Sequence, residues 1–325
     1  MVQHLRLQNQ IHIWKIQSLS FMLKLEYKSY IIGKKIGRDY CEDAIAVNLE
    51  QKRFAVADGV TNSFRPEIVS QYLVDKFVRN ELSVSDWKKA LYSDIGREMK
   101  QTWEEGVNKF LNNFEGIEKE IQELRMQNVG PGASTFCGVI FNSDNNTLDY
   151  SVLGDSCIFL LPNKGKYKVI TSCVTQEEEN GWTIDFTSTP DCIQVGNYEQ
   201  TSEENWRIGS LPIHSGYVAL MTDGASKWFY NILNSKEENE TEQLWRILDT
   251  PQTFTEFVKN SRLNGSPLSD DVTILLIKVI YEDEEEYKQP DTSIYTEEEK
   301  KPSDKMIKVK KIISKILSSW HLKKK

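Results

Sequence analysis

With 325 residues, 39% of them hydrophobic, the chain can build one large domain or two small ones around a substantial core. Its 40 basic and 48 acidic residues leave a net charge of −8, which argues against nucleic acid as the main partner, because phosphate backbones are bound by basic surfaces. Five cysteines, an odd number with no C-x-x-C pair, argue against a disulfide framework or a thiolate zinc site and for free thiols in a reducing, cytoplasmic setting. Of the four histidines, three lie near the termini, so no histidine-rich metal site is available.

Residues 1–22 read as an N-terminal extension. Lys15 interrupts its apolar stretch and no small-residue cleavage site follows, so it is a poor signal peptide. No apolar window in the chain reaches the roughly 18 residues of a membrane span. Three strand-like runs follow, "LKLEYKSYIIG", "DAIAVNLE" and "RFAVADG", rich in Ile, Val, Ala and Tyr. Pro66 opens a helix, since a proline suits the first helical turn. A second helical region spans about 86–128, with Trp87, Leu91, Ile95, Met99, Phe110, Phe114, Ile117, Ile121 and Leu124 at three- and four-residue spacing. The runs "STFCGVIF", "TLDYSVLGD", "CIFLLP" and "KYKVITS" predict an antiparallel meander. Residues 174–206 are polar and predict an irregular surface loop or flap. The strand "GYVALMTDG", helices around "KWFYNILN", "TEQLWRIL" and "PQTFTEFVKNS", and a last strand "DDVTILLIKVIY" complete a domain over 23–281. This order predicts an α+β fold, with sheets packed inside and helices outside.

Beyond it the composition changes. Residues 282–300 hold nine acids and two lysines, a net of −7, and read as a solvated acidic linker. Residues 301–325 hold nine lysines and one aspartate, a net of +8. There Met306, Val309, Ile313, Ile316, Leu317 and Trp320 share one helical face. Such a tail either lies as an amphipathic helix on an anionic membrane or a partner protein, or stays solvated and folds back on the acidic linker.

The chemistry-bearing residues cluster at strand ends. Asp58-Gly59 in "FAVADGV" on its own reads as a hairpin turn. Yet Asp223 in "VALMTDGAS" ends another buried strand, and Asp270 in "SDDVTILLI" precedes a third. Strand ends from distant parts of a chain can meet at one rim, where carboxylates repel and lose hydration unless a cation offsets both. Oxygen donors without His or Cys suit Mg²⁺ or Mn²⁺. Glu42 and Asp43 in "GRDYCEDAIAV" add two acids, and Arg38 supplies a donor fork for a phosphate ester. Gly154-Asp155 reads equally as turn or site, Ser134-Thr135 as strand packing, and His214 as a surface residue.

Taken in order, "GRDYCEDAIAV", "FAVADGV", "GASTFCGVIF", "LGDSCIFLL", "VALMTDGAS" and "SDDVTILLI" resemble the motifs of the metal-dependent protein serine/threonine phosphatases of type 2C, the PPM family, in a bacterial-like form. The resemblance covers 23–280. It implies a four-layer α-β-β-α sandwich with two antiparallel sheets inside and helices outside. It also implies two Mn²⁺ or Mg²⁺ ions, with Asp58 bridging both, the Gly59 carbonyl as a further ligand, Glu42 on the second ion, and Asp223 and Asp270 on the first. Asp43 would hold ordered water, Arg38 would clamp phosphate, and Asp155 matches a position linked to a third metal. A hydroxide bridging the ions would attack phosphoserine or phosphothreonine phosphorus in line. The expected partners are a phosphoprotein substrate and a serine/threonine kinase whose action it opposes, with the enzyme a monomer, cytoplasmic or peripheral to a membrane through 301–325. Three positions depart from the family pattern: Val60 stands where many eukaryotic members have histidine, Lys227 where an acid would support a third metal, and Asp271 where asparagine is common. No cysteine-phosphatase loop or P-loop occurs. The alternative is a weak or inactive module on the same fold that binds a phosphoprotein or kinase.

Overall fold

The computed structural model describes residues 23–281 apart from 35–40, 179–180, 185, 187–188, 198–204, 235–239, 265–267 and 269. Arg38, the N-terminal extension, the acidic linker and the basic tail lie outside the described residues. Two five-stranded sheets form the centre. The first runs β1 (Leu23–Ile32), β14 (Val272–Tyr281), β13 (Gly216–Met221), β7 (Cys157–Pro162), β8 (Lys168–Ile170). The second runs β12 (Arg207–Pro212), β6 (Thr147–Leu153), β5 (Phe136–Asn142), β3 (Arg53–Ala57), β2 (Ala44–Asn48). Every pairing is antiparallel.

The central strands are apolar on both faces because each sheet is covered on both sides. Along β3, Phe54 and Val56 point between the sheets while Ala55 and Ala57 face the helices. Along β14, Leu275, Ile277 and Val279 point between the sheets while Ile274 and Leu276 face the other way. On the second sheet lie α1 (Pro66–Arg79), α2 (Val84–Leu91) and α3 (Asp94–Leu111), seated by Leu73, Phe77, Trp87 and Met99. On the first lie α5 (Asp223–Asn234), α6 (Glu240–Ile247) and α7 (Pro251–Leu263), seated by Trp228, Phe229, Leu244, Phe254 and Val258. This is the expected four-layer sandwich. Local chemistry sets the helix starts: Pro66 occupies the first turn of α1, the Ser83 hydroxyl accepts the Asp86 amide of α2, and Thr250 and Thr253 form a capping box on α7.

The structure corrects four expectations. The helical region over 86–128 is three helices, broken at Tyr92-Ser93 and again after Leu111, and α4 (Gly116–Val129) contributes no buried residue. Its periodic Ile117, Ile121 and Leu124 face solvent, so helical spacing there did not mark a core face. The meander is split: β5 pairs with β6 in one sheet and β7 with β8 in the other, because the chain crosses between sheets at Gly154-Asp155. Residues 174–206 are not wholly irregular, since β9 (Val174–Glu178) pairs with β10 (Gly181–Ile184), and β11 (Ile193–Gln194) pairs with β4 (Ala133–Ser134). The edge strand β12 escaped the apolar pattern because "RIGSLP" has one covered neighbour and carries Gly209 and Pro212, as edge strands can. Among the described residues no helix is long and apolar enough to cross a membrane. All five cysteines are free.

Candidate metal centre

Asp58 follows directly on β3, and the chain does not turn there. The Asp58 amide donates to the Thr135 hydroxyl at 3.3 Å, and its carbonyl accepts from the Thr135 amide and the Ser134 hydroxyl, each at 2.8 Å. The Gly59 amide donates to the Glu42 carbonyl at 3.1 Å, and Val60 donates to the Ala133 carbonyl at 2.9 Å. The segment is extended beside β4, and the hairpin reading of Asp58-Gly59 fails. Glycine is required by proximity: a Cβ at residue 59 would stand 2.6 Å from the Glu42 carbonyl oxygen. Ser134 and Thr135 thus serve the backbone, as strand packing predicts.

Around Asp58 the other predicted acids arrive from both sheets. Asp43 lies just before β2, Asp223 opens α5 directly after β13, Asp270 and Asp271 precede β14, and Asp155 sits at the crossing from β6 to β7. The Asp58 carboxyl lies close enough to Asp43, Asp223 and Asp155 to feel the charge of each. Withdrawal from water, then the charges of Asp43, Asp223 and Asp155, hold Asp58 far above the usual carboxylate range. Asp43 is pushed up to about 7 by burial, although its Oδ2 accepts from Thr273 at 2.7 Å and Thr222 at 2.8 Å. Asp155 is likewise pushed up to about 7, by burial and then by the charge of Asp223. Asp223 is raised by burial and by Asp270, while its own Gly224 amide and Lys227 pull the other way.

Glu42 and Asp270 form the outer part of the rim. Glu42 Oε2 accepts from Lys34 Nζ at 2.8 Å and from the Thr61 hydroxyl at 2.6 Å. Lys34 Nζ also lies 3.4 Å from Asp270 Oδ1. Burial acts to lower the Lys34 ammonium, but Glu42, Asp270 and Asp271 outweigh it and hold the proton firmly. Asp271 is buried, and its two oxygens accept the backbone amides of Lys34 and Glu42. Its role is to pin the residues flanking the acids. Arg262 supports the same corner, donating to the carbonyls of Leu268, Gly33 and Asp270.

Glu42, Asp43, Asp58, Gly59, Asp155, Asp223, Asp270 and Asp271 are therefore gathered at one end of the sandwich. Arg38 lies outside the described residues, and His214 is exposed as expected. Sequence reasoning missed Lys34, Thr61, Thr222, Thr273 and Arg262. Thr222 and Thr273 were visible as hydroxyls inside otherwise apolar strand motifs, whereas nothing in the sequence singled out Lys34 or Arg262.

Among the described residues no three acids, histidines or cysteines lie close enough together to form a finished ligand cage. The donor chemistry nevertheless fits a hard divalent cation. It is all oxygen, burial and mutual charge raise Asp43, Asp58, Asp155 and Asp223, and the buried Asp43 Oδ1 and Asp155 Oδ1 find no hydrogen-bond donor among the described residues.

Residues 36–263 match the family described as protein phosphatase 2C. No curated protein matches the chain. Three solved structures share low sequence similarity with it. The chain is 17% identical to the serine/threonine phosphatase Stp1 from Staphylococcus aureus, over 79% of this chain and 96% of that one, with a TM-score of 0.48. It is 18% identical to PppA, a regulatory component of the T6SS in Pseudomonas aeruginosa, over 79% and 98%, with a TM-score of 0.47. To the catalytic domain of the serine/threonine phosphatase PstP, solved with two manganese ions, it is 17% identical over 80% and 100%, with a TM-score of 0.43.

Proposed function

The chain belongs to the protein phosphatase 2C family, and we propose that it is a metal-dependent phosphatase acting on phosphoserine and phosphothreonine of proteins. The observation that carries this reading is the gathering of acids from both sheets around Asp58, with the buried Asp43 Oδ1 and Asp155 Oδ1 left without a donor among the described residues. A fold keeps such a cluster at a cost in stability unless a cation relieves it.

Asp58, Glu42, Asp223, Asp270 and the Gly59 carbonyl would hold the two ions. Two bound Mn²⁺ or Mg²⁺ ions would supply Lewis-acid polarisation of the phosphoryl oxygens and an acidified water. The protein's own groups do the rest. Asp43, fixed by Thr222 and Thr273, would offer an acceptor to an ordered water. Its Oδ1 finds no donor among the described residues. Asp271 fixes the segment that carries Glu42. Arg38 would clamp the non-bridging phosphate oxygens. With valine at 60, protonation of the leaving serine or threonine oxygen would fall to water. Substrates would be phosphoproteins made by a serine/threonine kinase, and the enzyme would act as a monomer.

The test is phosphate release from a phosphothreonine peptide in Mn²⁺, Mg²⁺ or EDTA. Wild type is expected to need metal, and Asp223→Asn to lose activity by at least about a hundredfold. A folded wild type that releases no phosphate with any metal would replace this reading with that of a binding module on the same fold.

A further inference from the structure

Lys34 is the feature of the rim that the phosphatase reading does not use. It follows β1, while the oxygens it meets come from elements far apart in the chain. Glu42 and Thr61 flank β2 and β3 of the second sheet, and Asp270 precedes β14 of the first. Glu42 is almost wholly withdrawn from water, with its side chain 8% exposed, whereas Lys34 keeps 28%. A carboxylate oxygen has two in-plane lone pairs, and on Glu42 Oε2 these are engaged by Lys34 Nζ at 2.8 Å and the Thr61 hydroxyl at 2.6 Å. A divalent ion approaching that oxygen must displace one of them. Thr61 carries no charge, so the ion competes electrostatically with Lys34. Asp270 Oδ1 is in the same position, holding the Asp271 amide at 2.8 Å and Lys34 Nζ at 3.4 Å.

We propose that Lys34 is a tethered counter-ion that competes with divalent metal for Glu42 and Asp270, and so sets the affinity of the centre for metal. This rests on the reading of those two acids as ligands. The lysine lets the rim fold when metal is scarce, by holding carboxylates of both sheets on one ammonium. It swings out, on a stem already partly in solvent, when an ion takes its place. The device trades affinity for stability: the metal must be abundant enough to outcompete a covalently attached cation. Lys34 is a positioning residue under this scheme, with no contact to the substrate.

The experiment uses the full chain and Mn²⁺ alone, without substrate. Calorimetric titration compares wild type with Lys34→Met, Lys34→Gln and Lys34→Arg, and thermal unfolding is followed in EDTA and in Mn²⁺. Lys34→Met and Lys34→Gln are expected to bind Mn²⁺ about tenfold more tightly than wild type, to melt lower in EDTA, and to gain more from Mn²⁺. Lys34→Arg, which keeps the charge, is expected to bind near the wild-type level. Wild-type binding with unchanged or weaker affinity in folded Lys34→Gln overturns the counter-ion role and leaves the metal centre standing. Equal tightening in Lys34→Arg also overturns it, because charge would then not be the cause. If neither wild type nor any variant binds Mn²⁺, the metal centre and this inference fall together. Should Lys34→Met fail to fold, Lys34→Gln retains a donor to Glu42 and decides the matter.

Discussion

Asp155 is where a single side chain carries the most measurable consequence. It is 8% exposed, and its carboxyl is raised to about 7 by burial and by the charge of Asp223. An acid raised in the fold stays protonated between about pH 4 and pH 7, where the unfolded chain has already released its proton. Its contribution to stability is therefore full below about pH 4 and is lost as pH rises to about 7. In EDTA, the urea midpoint of wild type is expected to fall between about pH 5 and pH 7.5. Asp155→Asn should remove a part of that fall amounting to a few kcal/mol, since each tenfold gain in proton affinity on folding is worth about 1.4 kcal/mol. Parallel curves for the two proteins would show that Asp155 is not the titrating group. Arg262 makes the complementary case. Its guanidinium holds three carbonyls, including that of Asp270, so Arg262→Ala is expected to cost about 2–3 kcal/mol in urea unfolding and to weaken Mn²⁺ binding. Loss of stability with metal binding intact would confine Arg262 to a structural role. The acids were legible in the sequence because each stands at a strand end beside a small residue. Lys34 and Arg262 were not, because their partners are chosen by tertiary approach and leave no local spacing.

The element that decides whether those side chains can meet is the crossing at Gly154. Here φ is +96°, and a Cβ would come within 2.6 Å of the Thr135 side chain and 2.9 Å of the Asp191 carbonyl. Both the conformation and the space demand glycine. The Thr171 and Ser172 hydroxyls donate to its carbonyl and fasten the crossing to the end of β8. Gly154→Ala is expected to lower stability by about 2 kcal/mol or more and to reduce metal affinity with it, since Asp155 is aimed by the same bend. Full stability in that variant would mean that the backbone relaxes freely. The sequence displayed "LGDS" as a turn, and turn chemistry alone could not say that this turn passes between sheets. The same limit explains the divided meander: β6 and β7 follow one another with the short break of a hairpin pair, and only packing assigns them to different layers. Helix α4 failed for the opposite reason, since its periodicity is real but the helix lies outside the covered surface.

At the scale of the molecule, the two sheets are joined by a shared apolar layer in which Phe54, Val56, Ile158, Leu220, Leu275 and Ile277 interlock. Phe54 meets Tyr27 and Phe141 edge to face, with ring centroids at 6.2 and 5.4 Å. Phe54→Ala is expected to cost about 3–5 kcal/mol, read as a lower urea midpoint with an unchanged slope. A loss below about 1 kcal/mol would show that the layer tolerates a cavity there. The architecture was legible because runs of apolar residues without alternation require cover on both faces, and helical segments were present to supply it. What pattern could not show was that the first and last strands are neighbours. β1 pairs along its whole length with β14, Leu23 opposite Tyr281 and Ile32 opposite Val272. That pairing has a consequence in time. A ribosome delivers β1 before, and β14 after, the other described elements of the domain, so β1 waits unpaired while almost the whole domain is made. The rim that gathers Glu42 and Asp58 with Asp223 and Asp270 closes only when residue 281 has emerged. Assembly of the acidic rim is thus a late event of synthesis, and a chain interrupted before β14 carries the acids of this site without the site.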